Sequence, residues 1–283
     1  MLDYYNLSSM LSTEELQVQK SARDYLESEV GPYVSKWWED GVFPKEKISE
    51  FGQMGFFGAN LPVEYGCAGV NNVSYGLIMY ELERIDSGLR SFASVQGALV
   101  MYPIYRYGSE DQKKKYLPDM AAGKSVGCFG LTEHDGGSDP GAMKTSAVKD
   151  GESYVLNGRK MWITNGNIAD VALVWAKNED GRVNGFLVPT ETSGFQANKI
   201  EHKMSMRASV TSELVLDDVR VPATAILPGA DGLSAPLSCL TQARYGIAWG
   251  ALGALESVYN DALRFSKSRS TFNKPIAARQ LVQ

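Results

Sequence analysis

The sequence predicts an α+β protein with three consecutive parts: an N-terminal helical domain in residues 1–125, a β domain in residues 126–232, and the start of a C-terminal helical domain in residues 233–283. Apolar residues recur at helical spacing in the first part, and short β-rich runs separated by Gly- and Asp-rich turns fill the second. The helical period returns after Pro236. A chain of 283 residues is long enough for about two domains or more.

The N-terminal part contains the signals of several helices. Ser12 and Glu15 form a capping-box pattern at the start of the first helix, which we expect to end before Gly31. The segment VSYGLIMYELERI is apolar around its whole circumference and predicts a buried helix, which Asp86 interrupts. A helix rich in small residues is expected to follow, and Ser109 is expected to cap one more.

The middle part contains runs that are typical of strands. YVL, the pair Asn157-Gly158 and KMWIT predict a strand, a two-residue hairpin turn and a second strand. VALVWAK, GFLVPT and SELVLDDVRVP continue the pattern. Two stretches, CFGLTEHDGGS at 128–138 and MWITNG at 161–166, combine glycines, small polar side chains and aromatic rings. They are candidates for enclosing a flat, polar ligand, although the chain has neither G-x-G-x-x-G nor G-x-x-x-x-G-K-[ST].

One long helix, LTQARYGIAWGALGALESVYNDALRFSKSRS, is predicted to dominate the C-terminal part, with about eight turns. Its glycines and alanines predict close helix–helix packing. A single apolar helix cannot bury its own faces, so we expect further helices after Gln283, or another chain, to cover it. The residues just before Gln283 have the pattern of the start of one such helix.

Composition disfavours several classes of function. A net charge of −5 and a pI near 5.3 disfavour binding to nucleic acid or an anionic membrane. No run approaches the ~20 apolar residues of a membrane span. The three distant cysteines, Cys67, Cys128 and Cys239, are expected to be free buried thiols. With only two histidines, His134 and His202, we expect neither a metal site nor a catalytic triad. The N-terminus lacks the pattern of a signal or transit peptide, so we expect a soluble intracellular protein.

The order of the three parts, with CFGLTEHDGGSD and MWITN near the junction of the first two, resembles the acyl-CoA dehydrogenase flavoprotein family. The resemblance covers essentially all 283 residues. ELERIDSGLRS, SVQGALVMYPIY, HKMSMRASV and ARYGIAWGALGA are similar to the glutaryl-CoA dehydrogenase branch of that family. This likeness implies FAD as cofactor, electron-transfer flavoprotein as electron acceptor, and a homotetramer of paired dimers. It also implies a cytoplasmic location in a bacterium, or the mitochondrial matrix in a eukaryote.

The resemblance assigns FAD to the two stretches of the middle part. Thr132 would hydrogen-bond the edge of the isoalloxazine ring, and Ser138 would lie near the pyrophosphate. Trp162 would pack against the ring, a contact that suits an indole. Composition alone leaves a glycine turn and a core tryptophan as the alternative. The implied residues are Phe129, Leu131, Thr132, Gly137, Ser138, Trp162, Ile163 and Thr164.

A second set of implied FAD contacts follows the long helix. In the family, an R-x-x-F…Q pattern contacts the adenine-side phosphates, mainly of the neighbouring subunit's FAD. An arginine suits a diphosphate because its planar fork gives bidentate hydrogen bonds. The resemblance thus implies FAD at a subunit interface, while an exposed arginine at a helix end is the alternative. The implied residues are Arg269, Thr271, Phe272 and Gln280.

The resemblance also implies a reaction: an acyl-CoA loses its α-proton to a carboxylate base and its β-hydrogen to the flavin. Glutaryl-CoA dehydrogenases additionally release CO2 and form crotonyl-CoA. The distal carboxylate of such a substrate needs a cation at the end of the acyl tunnel. Arg90 matches that cation, with Ser91 and Ser94 as polar neighbours and Glu83 as a residue that could orient its guanidinium. The alternative for Arg90 is a structural ion pair with Glu83 or Asp86.

Two further points concern the catalytic machinery. Arg244 matches a family arginine near the CoA-binding region, with a helix–helix ion pair as the alternative. The family's catalytic glutamate lies in a Y-E-G-T-like segment that we expect after Gln283, and Glu133 is not proposed as a substitute. Three functions remain open: a decarboxylating glutaryl-CoA dehydrogenase, a non-decarboxylating or other acyl-CoA dehydrogenase, and a truncated, non-catalytic FAD- or acyl-CoA-binding protein.

Overall fold

The predicted fold class is confirmed by a computed structural model that describes residues 3–283. Helices fill the N-terminal part, strands the middle, and one long helix the C-terminal part. The capping box is present, because Ser12 Oγ accepts from Glu15 N–H and the Glu15 carboxylate accepts from Ser12 N–H. The helices of the first part are α1 Thr13–Glu29, α2 Gly31–Asp40, α3 Ile48–Gln53, α4 Asn72–Ile85, α5 Ser87–Ser94, α6 Tyr102–Tyr107 and α7 Glu110–Ala121, with a π-helical segment Val95–Met101 between α5 and α6.

The break between α4 and α5 determines where the candidate substrate residues lie. Asp86 is extended, and its carboxylate accepts from Gly88 N–H at 2.7 Å and Leu89 N–H at 3.2 Å, which caps α5. The chain therefore leaves α4 and re-enters a helix at once. Glu83, at the end of α4, and Arg90, in α5, remain close enough to pair.

The middle part forms one seven-stranded mixed sheet in which β3 and β7 are long antiparallel neighbours. β1 and β2 both run parallel to β4, and β5 pairs with β4 on its other side. The strand order is β1-β4-β2-β3-β7-β6. The strands are β1 Gly127–Gly130, β2 Ser146–Asp150, β3 Ser153–Thr164, β4 Val171–Lys177, β5 Val183–Pro189, β6 Phe195–Lys199 and β7 Thr211–Pro222.

The predicted hairpin turn at Asn157-Gly158 is wrong. β3 continues through both residues, and the reversal from β2 lies earlier, at Gly151, which has a φ of 59°. Asn157-Gly158 instead marks a register shift between β3 and β7. The glycine is needed for a close approach, since a Cβ at Gly158 would lie 2.7 Å from the Cα of Thr145.

The C-terminal part begins with α8, Ser234–Ser268, which packs along α4. Gly246, Gly250 and Gly253 are buried at this contact, in agreement with the predicted close packing. A helix just before Gln283 is not present; β8 Ser270–Thr271, β9 Lys274–Pro275 and a 3-10 turn occupy that region. Within residues 3–283, no helix is long and apolar enough to cross a membrane.

Candidate active site

A cavity of about 290 Å³ lies where the three parts of the chain meet. Val95 and Leu99 of the π-helical segment form one side, and Leu237, Leu240 and Arg244 of α8 form another. The remaining wall comes from β1, β3 and the loop after β1. All eight residues of the first implied FAD set line this cavity: Phe129, Leu131, Thr132, Gly137, Ser138, Trp162, Ile163 and Thr164.

A bulge in β3 aims the indole of Trp162 toward open space. The register with β7 shifts between Lys160 and Ile163, and Trp162 has a φ of 63° with 61% of its surface exposed. A bulky residue with a positive φ carries a backbone strain of about 1–3 kcal/mol, and residues strained in this way are often found at functional sites. Met161 N–H donates to the Thr132 carbonyl at 2.8 Å, so the two lining stretches are tied together.

This wall fits a flavin. The exposed indole and the apolar side chains offer flat dispersion contact, and Thr132, Ser138 and Thr164 offer hydroxyl groups to ring or phosphate oxygens. Nothing lies within 4 Å of the position that a Cβ at Gly137 would take, so the backbone there is open to a ligand.

A buried ion pair supports the wall from behind. Lys160 is fully buried, and its Nζ donates to the Leu131 carbonyl at 3.1 Å and to Glu133 Oε1 at 2.8 Å. Glu133 also accepts from Lys144 N–H at 2.7 Å, Thr145 N–H at 3.0 Å and Thr145 Oγ1 at 2.5 Å. These bonds fix the stretch from Leu131 to Glu133, which contains two of the cavity-lining residues.

The charges of this pair are set by burial and by hydrogen bonding. Burial lowers the pKa of Lys160 to about 8, although the Glu133 carboxylate opposes the shift. Burial acts to raise the pKa of Glu133, but the hydrogen bonds from Lys144 N–H, Lys160 and Thr145 outweigh it and lower that pKa to about 2. At neutral pH Glu133 is therefore ionised, but a pKa of about 2 makes it a very weak base, and its oxygens already accept from Lys160, Lys144 and Thr145, so it is unsuited to remove a substrate proton.

Arg90 lies inside the protein with only 8% of its surface exposed. Its Nε donates to Glu83 Oε2 at 2.6 Å, and its Nη2 lies 3.4 Å from Glu83 Oε1. Ser91 and Ser94 are also buried. Ser91 lies one helical turn before Val95, which lines the cavity, whereas Glu83, Arg90, Ser91 and Ser94 are not themselves among the lining residues.

Matches to known proteins extend over the whole described chain. Three family models match in order: acyl-CoA dehydrogenase N-terminal domain at residues 12–124, middle domain at 128–219 and C-terminal domain at 230–283. An acyl-CoA dehydrogenase of Bacillus subtilis (strain 168) is 36% identical over 275 residues, which are 95% of this chain and 73% of the relative.

The chain belongs to the acyl-CoA dehydrogenase family.

Two solved structures of this family show how closely the fold agrees. A glutaryl-CoA dehydrogenase from Mycobacterium smegmatis in complex with FADH2 is 54% identical, with a TM-score of 0.97 over 100% of this chain and 72% of the other. Butyryl-CoA dehydrogenase from Megasphaera elsdenii is 34% identical, with a TM-score of 0.91 over 99% of this chain and 74% of the other. The chain is thus an oxidoreductase of the acyl-CoA dehydrogenase family.

The other implied residues lie in different places in this acyl-CoA dehydrogenase fold. Arg244 lines the cavity and forms no ion pair with any residue of 3–283, and its contact with CoA stays a prediction. The second FAD set lies on the segment after α8, apart from the cavity lining. Its Phe272 is 90% exposed with a φ of 51°. This set comprises Arg269, Thr271, Phe272 and Gln280, whose contact with a neighbouring subunit's FAD stays a prediction.

Two polar groups of the interior are not predicted by the sequence patterns. Lys160 lies in a run that predicts an ordinary strand; its signal is a lysine between the strand residue Leu156 and the apolar Met161 and Ile163. Tyr75 lies in a run that predicts an apolar helix, yet its hydroxyl lies in the interior without a partner among the described residues. For a tyrosine in an apolar helix the sequence carries no such signal.

Proposed function

We propose that this protein oxidises and decarboxylates glutaryl-CoA to crotonyl-CoA and CO2, with FAD in the cavity. The observation that carries the proposal is Arg90, a buried arginine on the helix that leads into Val95 of the cavity wall. Ser91 and Ser94 beside it offer further hydrogen bonds to a carboxylate. Glu83 bonds only the Nε and Nη2 of Arg90, so the guanidinium keeps N–H donors for the distal carboxylate of a dicarboxylic acyl chain.

The polar and aromatic residues of the cavity and the Glu83–Arg90 pair have distinct parts in this proposal. FAD, when bound, supplies the two-electron oxidant. The hydroxyl groups of Thr132 and Ser138 bind the flavin edge and the pyrophosphate, and Trp162 covers the ring and excludes water from it. Glu83 holds the Arg90 guanidinium in a fixed orientation toward the substrate. Arg244 lies on the α8 side of the cavity, where it would meet the CoA part of the substrate.

Three elements of the proposal involve groups outside this chain or after residue 283. The proton acceptor is the glutamate expected after Gln283. Electron-transfer flavoprotein takes the electrons. Arg269, Thr271, Phe272 and Gln280 bind the FAD of a second subunit in a homotetramer.

A second candidate is an acyl-CoA dehydrogenase for an unbranched monocarboxylic substrate, or one that does not decarboxylate. It is favoured by the Glu83–Arg90 pair itself, because a guanidinium already bonded at 2.6 Å to a carboxylate could be purely structural. A non-catalytic protein that binds FAD or acyl-CoA is the third.

The test is product analysis with the FAD-loaded protein of full natural length and glutaryl-CoA carrying a labelled distal carboxyl group. The proposal expects crotonyl-CoA and labelled CO2 in equal amounts. Glutaconyl-CoA with the label retained would identify a non-decarboxylating enzyme. Turnover with butyryl-CoA but not with glutaryl-CoA would identify the monocarboxylic candidate. A flavin spectrum that no acyl-CoA changes would identify the non-catalytic candidate.

A further inference from the structure

Tyr75 of α4 carries a hydroxyl group that the fold leaves unsatisfied. The residue is only 3% exposed, and its Oη makes no hydrogen bond to any residue in the described part of the chain. A buried hydroxyl without a partner lowers stability, whereas a phenylalanine of the same shape would avoid that cost. Such a group in a well-packed interior calls for an explanation, and a ligand that reaches it is one.

The packing around Tyr75 fixes the position of its ring and hydroxyl group. The ring stacks on Tyr245 of α8, with centroids 6.3 Å apart and planes 14° apart. Across from the hydroxyl, α8 presents Gly246, where a Cβ would lie 2.8 Å from Tyr75 Oη. A larger residue at position 246 would press on the oxygen, so the glycine allows α8 to pack directly against the Tyr75 hydroxyl.

The same hydroxyl faces the polar cluster of α5. Burial raises the pKa of Tyr75 to about 12, while the Ser94 hydroxyl and the positive charge of Arg90 act to lower it. Gly246 and Gly250 lie one turn apart on α8, and a Cβ at these positions would lie 2.8 Å from Tyr75 Oη and 3.3 Å from Arg90 Nε, so the hydroxyl and the guanidinium are neighbours along α8. The phenol is protonated at neutral pH and able to donate. Ser94 directly precedes Val95, which lines the cavity.

We propose that Tyr75 Oη–H donates to the distal carboxylate of the acyl chain, together with the Arg90 guanidinium, and that it is a specificity-determining residue for dicarboxylic acyl-CoA substrates. This inference rests on the proposed function. A carboxylate in this position satisfies the unpaired hydroxyl and places its charge beside Arg90. A monocarboxylic chain of similar length brings a methyl group there and leaves the hydroxyl unpaired, so the site discriminates against it.

The test compares wild type, Tyr75→Phe and Tyr245→Phe, each loaded with FAD. Calorimetry gives the Kd values of glutaryl-CoA and butyryl-CoA, and thermal unfolding without acyl-CoA gives the Tm. Tyr245 is the matched control, because its hydroxyl already donates to the Asn72 carbonyl at 3.0 Å. For Tyr75→Phe we expect a Tm equal to or higher than that of wild type. Its affinity for glutaryl-CoA should be about tenfold weaker, and its affinity for butyryl-CoA should stay within about twofold of the wild-type value. Tyr245→Phe should lower the Tm and leave the preference between the two ligands unchanged.

Some results would overturn the inference alone, and another would overturn the proposed function as well. If wild type prefers glutaryl-CoA and Tyr75→Phe keeps that preference, Tyr75 is structural and the proposed function stands. The same conclusion follows if Tyr75→Phe has a lower Tm than wild type, because that loss would mean that the hydroxyl already has a partner in the protein. If wild type itself binds glutaryl-CoA no more tightly than butyryl-CoA, the dicarboxylic substrate is wrong, and this inference is overturned with it.

Discussion

Replacement of Lys160 by methionine removes the charge that supports the flavin wall from behind. Lys160 is fully buried and Glu133 has a side chain only 10% exposed, so either partner alone is a charge in the interior. Lys160→Met leaves Glu133 with its donors from Lys144 and Thr145, but deprives the Leu131 carbonyl of its side-chain donor. Glu133→Gln leaves the buried ammonium with the Leu131 carbonyl and an uncharged amide oxygen in place of the carboxylate.

The magnitudes follow from these contacts. Removal of one partner of a buried ion pair costs about 3–5 kcal/mol of unfolding free energy. We expect Lys160→Met to lie at the lower end, because Glu133 keeps three donors, and Glu133→Gln at the upper end. The double variant replaces both charges and should cost no more than about 3 kcal/mol. The burial cost of Lys160 offsets much of the stabilisation of Glu133, so the intact pair contributes little net stability. Its main effect is to hold Leu131 and Thr132 in position.

The assay is urea unfolding of the four proteins of this cycle, with FAD affinity measured in parallel. We expect a coupling free energy of about 5 kcal/mol between the two substitutions, because the double variant loses far less stability than the two single variants together. We also expect weaker FAD binding in both single variants, because the lining stretch shifts. Single-variant losses that add to the double-variant loss within about 0.5 kcal/mol would refute the account of the pair.

Three further outcomes follow from the site. Gly250→Ala places a Cβ on the position of Glu83 Oε2, so it should lower the unfolding free energy by about 1–3 kcal/mol and weaken glutaryl-CoA binding. Ala251→Gly, on the exposed side of the same helix, should lower the unfolding free energy by only about 1 kcal/mol. The folded-state pKa of Glu133, about 2, lies below its ordinary 4.5, so wild type should lose stability as the pH falls through this interval, and acid unfolding of Glu133→Gln should lack that component. Trp162→Ala should weaken FAD binding by about 10- to 100-fold and change the stability of the FAD-free protein by less than about 0.5 kcal/mol, because the indole is 61% exposed.

Local signals account for what the sequence predicted correctly. The capping box at Ser12, the break at Asp86 and the glycines of α8 act through neighbouring backbone atoms or through helical spacing, and the structure contains all three. Asn157-Gly158 was misassigned because the same dipeptide suits a tight turn and a bulge. The choice depended on Thr145, which approaches Gly158 from another strand segment.

Features that depend on distant contacts were beyond sequence reasoning. The partner of Lys160 is 27 residues away, and Tyr75 Oη packs against Gly246 on a different helix. The pairing of Arg90 with Glu83 was considered as one of two possibilities, since the break at Asp86 left its geometry open. The backbone of the FAD-lining stretches was predictable only through the family resemblance.

The most direct test of the central claim, that Arg90 recognises a distal carboxylate, is the Kd of FAD-loaded Arg90→Ala for glutaryl-CoA and for butyryl-CoA. Glu83→Gln/Arg90→Met, which leaves no unpaired buried charge, and Arg84→Ala, which breaks a different ion pair of α4, serve as controls. The account predicts a loss of about 10- to 100-fold for glutaryl-CoA in both Arg90 variants, with little change for butyryl-CoA. Equal losses for the two ligands would contradict it and leave Arg90 as a structural ion pair.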